Sequence, residues 1–171
     1  MATLVDEKVM DRWYALLDDA SDKKDFIFQT TEEYLEKLEA PSVDWDYEEV
    51  KPGLFKGWMG KKRHFLVVKN KGLKDHMMYI GVRDYGTALS VSWFLTAEPK
   101  YFKGLLSKTM SPTKDSQALS FALDLFDQEE LSAYVTATHR CLLKSIEQLM
   151  REAGQDFSKL DTKSKGFLQV W

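Results

Sequence analysis

Apolar residues fall on a helical repeat at both ends of the chain and on short, glycine-punctuated runs in the middle. In LVDEKVMDRWYALLDDA, residues 4–20, the positions Val5, Val9, Trp13, Leu16 and Leu17 recur close to the helical period. That spacing predicts an amphipathic helix. Asp18, Asp19 and Asp22 then crowd its C-terminal end, where the macrodipole disfavours acids, so the helix is expected to end near Ala20. A second helix is predicted over 31–38, capped by Thr30 or Thr31, striped by Tyr34, Leu35 and Leu38 and stopped by Pro41.

Gly53, Gly57, Gly60, Gly72 and Gly86 break the middle into runs rich in Phe, Val, Ile, Tyr and Trp. Strands are expected near 53–59, 63–69, 77–83 and 87–96. The short GKKR connection predicts a hairpin between the first two. Asp84-Tyr85-Gly86 predicts a three-residue loop with glycine in the left-handed position. Closing that loop at Arg83 and Thr87 sets Tyr79 opposite Val91 and Ile80 opposite Ser90. Neither face of such a pair is polar, so the sheet is expected to be covered on both sides.

The last third returns to helical spacing. Leu119, Ala122, Leu123 and Phe126 stripe residues 115–126. Asp127 followed by Glu130 reads as a capping box opening a long helix that Gly154 ends. Leu131, Val135, Thr138, Leu142 and Leu149 form its stripe, widened by Leu143, Ile146 and Met150. The tail KSKGFLQVW reads as a last strand or a docking segment. The expectation is one α+β domain: an acidic helical segment at 1–40, an antiparallel sheet of four or five strands at 53–96, a helical segment at 115–154 and the tail at 166–171.

Composition adds an aromatic load and a charge asymmetry. The 171 residues include 5 Trp, 7 Tyr and 10 Phe, and the net charge is −3. That charge is unevenly placed. Residues 1–50 hold 5 basic and 15 acidic side chains, residues 51–76 hold 8 basic and one acidic, and the remainder balances. Such asymmetry points to an electrostatic role. Lys61, Lys62, Arg63, Lys69, Lys71 and Lys74 make the basic hairpins at 56–74 a candidate nucleic-acid surface, with Phe55, Trp58, Phe65 and Tyr79 as rings for stacking. The structural alternative is that turn lysines keep hairpins soluble and sheet edges unpaired. The acidic run DWDYEE at 44–49 reads as a solvated connector.

Candidate chemistry is sparse. His64, His76 and His139 are the three histidines, and their spacing matches no metal motif, so no metal and no cofactor are expected. Cys141 lies two residues from His139, a spacing that faces apart on a helix, so it reads as a small buried hydrophobe. No catalytic residues are singled out. Arg83, Ser90, Ser92 and His139 are the candidates for lining a pocket between the sheet and the long helix. No run approaches the roughly 20 apolar residues of a membrane span, and a lone cysteine predicts a cytoplasmic protein. The leading expectation is a non-catalytic interaction or assembly protein, a homodimer or one with a protein partner, with Trp45, Trp58, Trp93 and Trp171 either filling the core or, where it cannot bury them all, marking the interface. The alternatives are nucleic-acid binding through the basic hairpins, and a small-molecule binder or enzyme.

Overall fold

A computed structural model describes residues 2–4, 9–52, 62–97 and 123–171. Along these, the chain runs β1 (Ala2–Leu4), β2 (Val9–Leu17), α1 (Lys24–Leu38), β3 (Val43–Pro52), β4 (Arg63–Asn70), β5 (His76–Tyr85), β6 (Ala88–Ala97) and α2 (Leu125–Glu152), with a short 3-10 turn at Phe157–Lys159. The strand order is β1-β3-β4-β5-β6-β2. Five strands are antiparallel neighbours, and β1 joins the β3 edge in parallel. The architecture is α+β, a central antiparallel sheet with one helix from each end of the chain.

The first predicted helix is instead strand β2, and the period explains why. Asp11, Trp13, Ala15 and Leu17 are buried, while Arg12, Tyr14 and Leu16 face out. The alternation is strict, but a carboxylate stands in the buried set and two large apolar side chains stand in the exposed set. Exchanging polar and apolar roles at three positions makes a strand imitate a helical repeat. Helix α1 starts at Lys24, earlier than expected, and its N-cap Lys23 gives no side-chain cap. Thr31 is not a cap. It lies mid-helix, donating to the Ile27 carbonyl at 2.6 Å and meeting Ser145 Oγ on α2 at 3.0 Å.

The run at 44–49 is not a connector but the body of β3. Asp44, Asp46 and Glu48 alternate with Val43, Trp45 and Tyr47, a period-two pattern. Two of those carboxylates, with Glu49, meet cations on the paired chain: Lys69 Nζ lies 2.6 Å from Glu48, Lys71 Nζ 3.8 Å from Asp44, and Lys62 Nζ 2.7 Å from Glu49. The partner of β4 on this side is therefore β3. The strand expected at 53–59 lies outside the described residues, as do 115–122 of the predicted helical segment. The β5–β6 hairpin is also tighter than expected. Tyr85 pairs with Ala88 around Gly86 and Thr87, and Gly86 (φ 67°) is the first of two loop residues, as in a type II′ turn.

The tighter loop moves each β5 residue three places along β6, so Ile80 faces Trp93 and Tyr79 faces Phe94. An odd shift reverses the faces of β6. One face now collects Met78, Ile80 and Val82 with Val91, Trp93 and Leu95, all buried. The other collects Met77, Tyr79, Gly81 and Arg83 with Ser90, Ser92, Phe94 and Thr96. The expectation that both faces are uniformly apolar is corrected: the outer face mixes polar side chains with a small buried cluster of Val50, Phe65, Val67 and Tyr79.

Helix α2 covers the inner face. Asp124 caps it by accepting the Asp127 amide at 2.8 Å, so the capping residue precedes the one expected. Gly154 (φ 69°) ends it as expected. The Gly154 amide bonds the Arg151 carbonyl at 3.1 Å and the Gln155 amide bonds Met150 at 2.8 Å, the paired bonds of a Schellman stop. Leu131, Leu142 and Ile146 are fully buried against the sheet, each side chain stabilising by about 1.5–3 kcal/mol. The tail lies along the exposed edge of β2. Lys165 and Phe167 amides donate to the carbonyls of Arg12 (2.7 Å) and Met10 (3.0 Å), which closes an edge that would otherwise offer free backbone groups.

Candidate anion-binding groove

A groove of about 370 Å³ opens where β4 begins and β5 ends. Lys24, the first residue of α1, reaches it from one side. Lys62, Arg63, His64 and Phe65 come from the start of β4, and Gly81, Val82, Arg83 and Asp84 from the end of β5, with Ser92 on β6. The lining thus carries four formal cations and one carboxylate. The size is within the range of small-ligand sites.

Register explains why the arginines share the groove. Phe65 pairs with Gly81, the last paired position of β4 and β5 on this side. Arg63 and Arg83 each lie two residues beyond that pair, on the outer face, and both line the groove. Like charges gathered in one groove are unfavourable. Neither arginine has a carboxylate partner among the described residues. Arg83 stacks over the Tyr85 ring, 5.4 Å from its centre, a contact that leaves its N–H donors unused. The lysines differ. Lys62 is engaged by Glu49, and Lys24 has Asp25 at 3.9 Å. Asp84 accepts the Asp22 amide at 2.9 Å, which ties the approach to α1 to the end of β5.

Between the arginines and the sheet centre the floor is apolar. The Phe65 ring lies across Gly81, where a Cβ would come within 2.7 Å of it. Glycine leaves the room this ring occupies over the neighbouring strand.

The structure thus brings together residues that the sequence placed in separate lists. Lys62 and Arg63 belonged to the basic hairpins, and Arg83 and Ser92 to the pocket candidates. Ser90 pairs with Arg83 on the same outer face. Lys69 and Lys71 sit at the other end of β4, paired with carboxylates of β3. Lys74 is exposed in the β4–β5 turn. Lys61, Phe55 and Trp58 lie outside the described residues. Lys24 was missed because its contribution depends on where α1 begins, and nothing in its local sequence marks it.

His139 is not in this groove. It is 0% exposed, on the inner face of the sheet. Its Nδ1 accepts the Trp93 indole N–H at 2.9 Å, and its Nε2 lies 2.7 Å from the Thr162 carbonyl. The Trp13 and Trp93 rings meet it edge-on at 5.3 and 5.6 Å. One nitrogen accepting and the other donating requires a neutral ring. Burial lowers its pKa from the usual 6.5, against smaller opposing effects of the Thr162 carbonyl and Asp11. His76, also buried, is lowered for the same reason, opposed by Asp75 and Asp127. Burial raises the Cys141 thiol, which leaves it a poor nucleophile. Among the described residues no group of three or more His, Cys, Asp or Glu is placed to hold a metal ion, and no described helix is long and apolar enough to cross a membrane.

Of the four aromatics weighed between core and interface, Trp93 is fully buried, Trp45 half-buried and Trp171 exposed, while Trp58 lies outside the described residues. Comparison of the chain with known protein families, curated proteins and solved structures finds no match.

Proposed function

We propose that the protein binds a small anionic ligand in the groove between β4 and β5, in the cytoplasm. The observation that supports this is that Arg63 and Arg83, neither with a carboxylate partner among the described residues, both line one groove of ligand size. An anion placed there removes the repulsion and gains charge-assisted hydrogen bonds, each worth about 1.5–3 kcal/mol. The test is thermal unfolding at fixed ionic strength with chloride replaced by inorganic phosphate. The melting temperature should rise with phosphate for the natural chain and stay flat for Arg63→Ala and Arg83→Ala. An equal rise in the variants removes the groove from the explanation.

A second reading, a non-catalytic protein that pairs with a second copy of itself, is favoured by Tyr14 and Leu16. They are 66% and 53% exposed, side by side on the outer face of β2. Exposed apolar patches on a sheet face are a common place for copies to meet. Sedimentation of the natural chain and of Leu16→Glu tests it. A dimer that the variant abolishes supports the reading, and a monomer in both rejects it.

A further inference from the structure

The groove specifies more than the sign of the ligand's charge. We infer that its ligand is a compact organic phosphomonoester, neither a simple carboxylate nor a nucleic-acid strand. This rests on the anion-binding reading.

The charged end follows from the number of donors. Each guanidinium presents five N–H groups in a planar fork. Arg63 and Arg83 line the same groove, so two flexible forks can close on one group. A carboxylate offers two oxygens, and a single fork satisfies both. A phosphoryl group offers three terminal oxygens and a charge of about −1.5 to −2 at neutral pH, enough acceptors for Arg63 and Arg83 together.

The compactness follows from what surrounds the groove. On the same outer face β3 presents Asp44, Asp46 and Glu48, opposite Lys69, Val67 and Phe65. A chain of phosphates leaving the groove across the sheet would cross a face with no net positive charge, where Asp46 adds a carboxylate to the paired Asp44 and Glu48. Lys69 and Lys71, which could have extended a basic track, are engaged by Glu48 and Asp44. Exposed basic residues must continue over several phosphates to hold a strand, and here they do not. The organic body follows from the floor. Phe65, with its ring over Gly81, offers an apolar surface next to the arginines, which an inorganic ion would leave uncovered.

Calorimetric titration at matched ionic strength with phenyl phosphate, benzoate and a short oligothymidylate tests this. Phenyl phosphate should bind roughly tenfold or more tightly than benzoate, because the second fork finds a partner only in the phosphoryl group. Its affinity should fall by roughly tenfold in Arg63→Lys and Arg83→Lys, which keep the charge and lose the fork, with urea midpoints unchanged. Affinity should also weaken below about pH 6, where the ester dianion takes up a proton and becomes a monoanion. Benzoate binding as tightly as phenyl phosphate, or lysine variants binding as well as the natural chain, overturns the phosphoryl assignment and leaves the anion groove standing. Tighter oligothymidylate binding with a steep salt dependence overturns the compact-ligand assignment in the same way. No binding of any probe overturns both.

Discussion

The Tyr134 hydroxyl stands between two register partners of the sheet. It accepts the Met78 amide at 3.1 Å and donates to the Val68 carbonyl at 2.6 Å, so a side chain of α2 completes the β4–β5 ladder. Removing the oxygen leaves two buried backbone groups without that bridge. Tyr134→Phe should cost about 1–3 kcal/mol in urea unfolding. A loss under about 0.5 kcal/mol would mean that the strands close up without the hydroxyl. The buried histidines set a pH dependence. His76 and His139 both have lowered pKa values in the fold. Below the ordinary value of 6.5 the unfolded chain binds protons that the folded chain refuses. Stability from these groups is therefore complete above 6.5 and falls as the pH drops below it, by up to about 1.4 kcal/mol per pH unit for each ring. Urea midpoints measured at pH 8 and pH 5.5 should show this fall. His139→Gln should be less stable at both pH values but show a smaller difference between them. An undiminished difference would place the pH dependence elsewhere.

At the scale of elements, β2 and the tail behave as one unit. Asp11 is nearly fully buried and accepts the amides of Arg12 (2.7 Å), Leu168 (2.8 Å) and Gln169 (3.1 Å). The Trp13 indole donates to the Asp161 carbonyl at 2.8 Å. Gly166 lies so close that a Cβ there would fall 2.6 Å from the Asp11 Cα and the Met10 carbonyl. Gly166→Ala should therefore detach the tail from the β2 edge at a cost of about 1–3 kcal/mol. Amide exchange at Lys165 and Phe167 should speed up before the global unfolding rate changes, and unchanged protection would show that the edge contact is not what the tail depends on. This unit also marks where the sequence is hardest to read. Asp11 is buried because the tail supplies its donors, and Tyr14 and Leu16 are exposed although apolar. The Asp11 inversion depends on residues some 150 positions away, beyond the reach of any local window. By contrast α2, β4 and β6 were legible because their apolar stripes match their burial, and Gly154 because the left-handed stop is a backbone need. The acidic strand β3 carried its period-two signal openly, and only its charges concealed it.

At the scale of the molecule, the charge asymmetry is partly an internal arrangement. The acidic β3 lies antiparallel to the basic β4, and the carboxylates of Glu48, Glu49 and Asp44 meet Lys69, Lys62 and Lys71. Exposed pairs of this kind contribute under about 1 kcal/mol each, so their main effect is to cancel field over most of the sheet. Among the described residues of β4 and β5, Arg63 and Arg83 at one end are left without a carboxylate partner. The sequence showed both arginines but could not bring them together, because the expected hairpin set Arg83 at the closing position of a three-residue loop. The groove that both line follows from β4–β5 pairing, which no turn signal encodes. The most direct test of the anion groove is an NMR titration with inorganic phosphate that follows the guanidinium Nε–H signals. Arg63 and Arg83 should shift together and saturate along one binding curve while Arg12, Arg140 and Arg151 stay in place. Signals that drift in parallel for all five without saturating would contradict an anion groove, since that is the behaviour of ionic screening and not of a site.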